Sequence, residues 1–356
     1  MSATQGRPQA SSPRSPQDEG ASVSPARQRL WRWTKRIAPW ALAALVLALV
    51  AQQARAVDWP QVWVSLRQLS AGRLAMAAGL AALSYGVYAG FDLVGRHLTR
   101  HGLSVPRTLG TAAISYAFNL NFGALVGGFA MRLRLYTRWG VAAATVAKVI
   151  ALSMTTNWLG YLWVSGGVLL WSPPTLPGGW APGDTVLRAL GAAMVALASA
   201  YLVLCAVSRP RTLKWREHEL ALPGGRLALV QALAGGANWL LMGAIVWVLF
   251  EGRVDFALVL GALLMAAVAG VITHVPAGMG VLEAVFVATL GGVLPATEVL
   301  AVVLAYRAAY YLLPLALALP AYAWSEAAAR RGGGAAQGRQ GVKDSGPALR
   351  RGGRPT

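Results

Sequence analysis

Eight apolar runs, at about 37–54, 73–95, 109–131, 141–171, 186–208, 228–250, 256–292 and 296–324, alternate with short polar stretches along the chain. A bilayer-crossing helix needs roughly 17–25 mostly apolar residues, so most of these runs predict single helical passes. The flanks, 1–36 and 326–356, are rich in Ser, Pro, Gln, Gly and Arg and show no apolar period. They are expected to be disordered basic tails on either side of one transmembrane domain, 37–325. The first run ends in Ala54-Arg55-Ala56, which mimics a signal-peptidase site. Its leader is longer than the roughly 15–30 residues of a secretory signal, so an uncleaved anchor is expected.

Charge then orients the runs. The chain has 32 Lys and Arg against 13 Asp and Glu, a formal net charge of +19. That balance first suggests nucleic acid, but its placement does not: seven of the basic residues lie in 1–36 and seven in 330–356, and most of the rest sit in short loops. Such a distribution marks cytoplasmic loops and tails beside an anionic leaflet. Charged residues make up 13% of the chain and hydrophobic residues 56%, where a soluble domain carries roughly 25% charged. The loop 96–107 holds Arg96, Arg100 and Arg107, and the loop 209–227 holds Arg209, Arg211, Lys214, Arg216 and Arg226. Both are expected inside. The loop 172–185 contains neither Lys nor Arg, and the turn 251–255 is net acidic, so both are expected outside, with both termini cytoplasmic.

Two runs break the alternation. A full crossing by 109–131 would place Arg132, Arg134 and Arg138 outside and the base-free loop 172–185 inside, against the charge rule on both counts. The conflict disappears if 109–131 enters from the cytoplasm and returns to it. Asn119, Asn121, Gly123, Gly127 and Gly128 interrupt that run, and irregular backbone at membrane depth is tolerated where protein or a wet cavity surrounds it. The run 256–292 is too long for one pass and is broken at His274-Val275-Pro276-Ala277-Gly278-Met279-Gly280. A hairpin from outside followed by one pass satisfies the parity; so do three full passes. With the hairpin option the fold is all-α and polytopic: about six full spans and two re-entrant hairpins, one from each side. Broken elements at corresponding places in two halves suggest inverted repeats and a midplane site.

The candidate chemistry lies at these breaks. Arg132 and Arg134 beside a glycine-broken segment offer planar guanidinium groups that suit a phosphodiester; the alternative is a basic border that sets topology. Pro276 ends one half-helix, Gly278 and Gly280 permit the turn, and Glu283 follows one turn into the next. An ionisable group at membrane depth is a functional candidate, and Glu283 could hold a lipid amine, take a proton or pair with Arg307. An ion pair that only fixes the hairpin is the equal alternative. His274 reads as a packing or capping histidine. Tyr310 and Tyr311, beside Arg307, fit the same cavity or an aromatic belt. Asp92 has Arg96 four positions on, a helix-surface pair. Lys148 is placed to snorkel, and Asn157 and Asn238 to hydrogen-bond between helices.

The sequence contains no Gly-x-x-x-x-Gly-Lys-Ser/Thr phosphate loop, His-Glu-x-x-His, Gly-x-Ser-x-Gly or paired acidic metal motif, so neither ATP-driven transport nor enzyme chemistry is expected of it. No cofactor, metal or nucleic-acid partner is expected. The single cysteine, Cys205, lies within an apolar run and allows no intramolecular disulfide.

Three blocks carry a family resemblance. Gly127-Gly128-Phe129-Ala130-Met131-Arg132-Leu133-Arg134-Leu135-Tyr136-Thr137-Arg138-Trp139-Gly140 resembles the first signature of the transmembrane module of lysylphosphatidylglycerol flippase-synthases, the multiple peptide resistance factors. Thr273-His274-Val275-Pro276-Ala277-Gly278-Met279-Gly280-Val281-Leu282-Glu283-Ala284 is similar to their second, usually written with Pro-Gly-Gly-x-Gly-Val-x-Glu; Ala277 stands where the family usually has Gly. Tyr306-Arg307-Ala308-Ala309-Tyr310-Tyr311-Leu312-Leu313-Pro314 resembles their final-span signature. The blocks occur in order across about 70–325. The fused family members continue into a soluble domain that transfers lysine from its tRNA to phosphatidylglycerol; here a short basic tail follows, so a stand-alone inner-membrane member without that domain is expected. The resemblance implies translocation of phospholipid, aminoacylated or another anionic glycerophospholipid, between leaflets. Arg132, Arg134, Asn119, Asn121, Glu283, Arg307 and Tyr310 are the expected substrate-binding residues. A secondary transporter of a small polar solute, or a non-transporting membrane partner of a lipid-synthesising enzyme, are the other readings.

Overall fold

A computed structural model describes residues 60, 64, 67, 69–173, 183–208, 212–215, 218–273 and 275–326. The expected tails apart from Glu326, the first apolar run, most of the loop 172–185 and His274 lie outside the described residues. What is described is a helical membrane protein. Its helices are α1 (Ala71–Thr99), α2 (Val105–Gly123), α3 (Arg132–Arg138), α4 (Ala143–Trp171), α5 (Asp184–Val207), α6 (Gly225–Leu249), α7 (Phe256–Thr273), α8 (Val281–Leu290) and α9 (Ala296–Arg307). A wide, π-type segment, Ala124–Met131, joins α2 to α3, and a second, Ala308–Leu312, carries α9 on toward Glu326. A short antiparallel pair, β1 (Thr212–Trp215) and β2 (His218–Ala221), occupies the loop between α5 and α6, where the sequence reading expected only a polar connection.

By length and apolarity alone Val105–Arg138 would be one of six candidate spans. In a straight helix, residues 119 and 127 would be about 12 Å apart. Instead the chain doubles back at Gly123, whose φ of 83° lies in the region glycine favours. A Cβ on Gly127 would sit 1.9 Å from the Asn119 nitrogen, so backbone packs on backbone and no larger residue fits. Val105–Met131 is therefore a helical hairpin. A second reversal joins α7 to α8, with positive φ at Ala277 (57°), Gly278 (57°) and Gly280 (75°) in close succession.

Ion pairs fix which element ends lie together. Arg73, at the start of α1, pairs with Glu251 after α6, and Arg253 pairs with Glu298 in the first turn of α9. At the opposite end, Arg134 and Arg138 on α3 both reach Glu326. The α1, α4, α5 and α6 helices and the final Ala296–Glu326 helix thus run from end to end. The α2 hairpin begins and finishes at the Glu326 end, and the α7–α8 hairpin at the Glu298 end. Each limb that penetrates, α2 with 19 residues and α7 with 18, is about 28 Å long at 1.5 Å per residue, so the tips overlap in the middle of the bundle. The α4 helix, 29 residues and about 44 Å, is long enough to cross, although its Thr, Ser and Asn residues lower its hydropathy. It packs so closely on α6 that a Cβ on Gly160 would lie 2.0 Å from the Gly235 carbonyl carbon, the small-residue contact typical of membrane helices. The surface is apolar, with Leu83, Leu197, Leu233 and Leu317 all exposed.

Candidate functional site

The two hairpin tips enclose a cavity of about 630 Å³. The first hairpin contributes Asn119, Leu120, Phe122, Gly123, Ala124 and Leu125; the second contributes Gly270, Val271, Val275, Ala277, Gly278 and Leu282. Tyr88 of α1, Asn157 of α4, Trp239 and Met242 of α6, and Tyr311 also line it. Leu125 is 78% exposed and Val271 56%, so the mouth opens through an apolar rim. Trp239 is oriented by its Nε1, which donates to the Asn157 carbonyl at 3.2 Å.

Behind each tip lies a carboxylate–guanidinium pair. In the second hairpin, Arg307 Nε donates to Glu283 Oε1 at 2.5 Å and Nη2 to Oε2 at 3.0 Å. The same guanidinium donates from Nη1 to the Ala277 carbonyl at 2.9 Å and from Nη2 to the Gly278 carbonyl at 2.8 Å. The reversal frees those carbonyls from helical bonding, and buried carbonyls need donors. The planar fork of arginine serves carboxylate and backbone together. Its face lies over Tyr311, 5.5 Å from guanidinium carbon to ring centroid.

The first hairpin uses a different carboxylate. Asp92 on α1 is fully buried and Arg132 is 2% exposed; Arg132 Nη2 lies 3.2 Å from Asp92 Oδ1, and the Tyr136 hydroxyl donates to Oδ2 at 2.8 Å. Arg132 also stands over the Tyr88 ring, 5.6 Å away. The expected Asp92–Arg96 surface pair does not form. Asp92 faces inward, and Arg96 Nε donates to the Leu103 carbonyl at 2.7 Å. In the adjoining loop, burial first and the neighbouring Arg96 second push the His101 imidazole below its ordinary pKa. It therefore adds less charge beside this pair than an ordinary imidazole would.

Of the residues expected to bind substrate, Asn119 alone is in the cavity wall; Gly278 of the turn also lines it. Arg132 is sealed in its pair with Asp92, and Arg134 bridges to Glu326 by Nε at 3.2 Å and Nη2 at 3.1 Å. Asn121 is buried and ties the first hairpin to the final helix, its Nδ2 donating to the carbonyls of Ala117 and Tyr311 at 2.8 and 3.1 Å. Tyr310 lies in the core, its hydroxyl 2.7 Å from Ser84 Oγ and 3.0 Å from the Tyr116 hydroxyl. Glu283 and Arg307 stand behind the wall, and Gly127, Gly128, Pro276 and Gly280 shape the two breaks. Asn238 bonds between helices as expected, accepting from Ser84 Oγ at 2.7 Å, and Lys148 is exposed.

Sequence reasoning missed Tyr88, Tyr116, Trp239 and Met242. Tyr85 and Tyr88, at i and i+3 on one face of α1, are the signal that was available: Tyr88 stacks on Tyr116 with centroids 3.5 Å apart, and Tyr85 meets the same ring at 4.9 Å.

The comparisons with known proteins identify the chain's family. Residues 36–318 match the family model described as the lysylphosphatidylglycerol synthase TM region. Inner membrane protein YbhN of Escherichia coli strain K12 is 40% identical over 302 residues, covering 85% of this chain and 95% of that protein. A Synechocystis sp. protein carrying the name Uncharacterized protein slr0712 is 29% identical over 294 residues, 80% of this chain and 90% of its own length. With the matched region spanning both hairpins and the cavity between them, the chain belongs to the lysylphosphatidylglycerol synthase transmembrane-region family.

Proposed function

We propose that this protein binds a phospholipid headgroup in the cavity between its hairpin tips and carries it between leaflets of a bacterial inner membrane. The observation that supports the reading most is the cavity itself: about 630 Å³ at the overlap of the two tips, mostly apolar but carrying the polar side chains of Asn119, Asn157 and Tyr311, and rimmed by exposed apolar Leu125 and Val271. A headgroup could occupy it while its acyl chains remain in the bilayer. Both hairpins are re-entrant in this reading, one from each face, so that neither leaflet has a continuous polar path across. Basic loops at the Arg134–Glu326 end favour assigning that end, and with it both termini, to the cytoplasm in this reading. The name of the Escherichia coli relative supports the inner membrane. Motion is downhill or gradient-driven, consistent with a sequence lacking a nucleotide-binding loop.

The test is a leaflet-resolved lipid assay in proteoliposomes. Acceleration of exchange over protein-free vesicles for at least one phospholipid is expected. Background rates for anionic, zwitterionic and aminoacylated lipids alike would overturn the translocation reading. Flux of a water-soluble polar solute with no lipid exchange would replace it with a solute transporter.

A further inference from the structure

We infer that the cavity selects lipids whose headgroup ends in an uncharged, hydroxyl-rich group, such as glycerol or a hexose, over those ending in an amine. The inference rests on the reading of this cavity as a headgroup site. The polar groups of its largely apolar wall are amides and phenols. Asn119 and Asn157 enter from two different elements, and among the described residues neither side-chain amide takes a hydrogen-bond partner. Each therefore keeps two N–H donors and one carbonyl acceptor for an occupant. A hydroxyl group donates and accepts at once and can satisfy both. Trp239 adds a broad aromatic face, against which the C–H groups of a polyol can lie.

An amine meets a different situation. A primary ammonium is donor-only and carries its charge into a desolvated space, which is costly without a carboxylate. The two carboxylates near the cavity are already committed. Glu283 holds Arg307 through both oxygens, and Asp92 is held by Arg132 and Tyr136. Among the described residues, the wall itself contains no acidic side chain. The Tyr88 face that could have caged a cation is stacked on Tyr116.

The experiment measures binding, separately from transport. The full chain is purified in a detergent without a sugar headgroup and titrated with three dioctanoyl lipids: phosphatidylglycerol, a monoglucosyl diacylglycerol and phosphatidylethanolamine. Tryptophan fluorescence is the signal, and Trp239→Phe identifies the part arising in the cavity. Phosphatidylglycerol and the glucosyl lipid are expected to bind about tenfold or more tightly than phosphatidylethanolamine. Asn157→Leu and the smaller change Asn119→Ser should each erode that preference while the protein remains monodisperse. Preference for both polyol lipids supports the shared chemistry, whereas preference for phosphatidylglycerol alone would overturn it in favour of anionic charge. Equal affinities, or tighter binding of phosphatidylethanolamine, would overturn it and leave the headgroup cavity standing. Failure of all three lipids to bind would remove the cavity reading and this inference together.

Discussion

Arg307 illustrates what a single residue does here. Its guanidinium satisfies a carboxylate and two carbonyls that the α7–α8 reversal leaves without helical partners. Breaking one side of a buried pair costs about 3–5 kcal/mol in soluble proteins, and Arg307→Gln also removes donors from Ala277 and Gly278. Folded yield of Arg307→Gln, read by fluorescence-detected size exclusion, should therefore collapse. Glu283→Gln should lose less, because both carbonyl bonds survive and the new amide oxygen can still accept one. The double variant restores electroneutrality but not the carbonyl donors, so it should recover only part of the yield lost in Arg307→Gln. Recovery to wild-type yield would reduce Arg307 to a counter-ion. The Glu283–Arg307 pair was legible because two charges in apolar runs have few places to go. Arg132 was read as a phosphate ligand because sequence spacing offered Asp92 a partner four residues away. Only the return of the first hairpin brings Arg132 to Asp92, and no local pattern encodes that.

At the scale of elements, the hairpins depend on backbone more than on side chains. Gly127→Ala would force a methyl group into the backbone at Asn119 and Phe118. It should abolish folded protein, while Gly280→Ala, with open space around its added Cβ, should cost only the strain of a left-handed residue, about 1–2 kcal/mol. Equal thermal midpoints for the two variants in detergent would contradict this geometry. Ala277 adopts φ 57° without being glycine. Ala277→Gly should therefore raise the thermal midpoint slightly, with the relief of strain offset in part by roughly 0.5–1 kcal/mol of backbone entropy. That both runs are broken was readable from their Asn, Gly and Pro content combined with loop charge. The position of the first turn, at Gly123 and not at the Gly127-Gly128 pair, was not. Those two glycines serve close approach after the turn, and composition does not separate a glycine needed for φ from one needed for space. The β1–β2 pair was also invisible, since four-residue strands carry too short an alternation to register.

For the whole molecule, orientation and the cavity are the two claims to test. Thr137 is exposed on α3, and in a Cys205→Ser background Thr137→Cys should react with membrane-impermeant maleimide from the cytoplasmic face only; periplasmic labelling would reverse the assigned orientation. The overall class was the most legible property, because a 356-residue chain with 56% hydrophobic residues in long runs has few alternatives to a helical membrane protein. The cavity was the least legible. Its wall draws one residue each from α1 and α4 and two from α6 as well as both tips, and their meeting depends on packing across the bundle. The most direct measurement uses Gly270, which lines the cavity and has nothing within 4 Å of an added Cβ, so Gly270→Trp should start without a backbone clash and obstruct the space. Leaflet-resolved lipid exchange is compared in proteoliposomes holding matched amounts of folded wild type and Gly270→Trp. The cavity account predicts exchange well above empty vesicles for the wild type and a fall to background for the filled variant. Equal rates for the two proteins would contradict it.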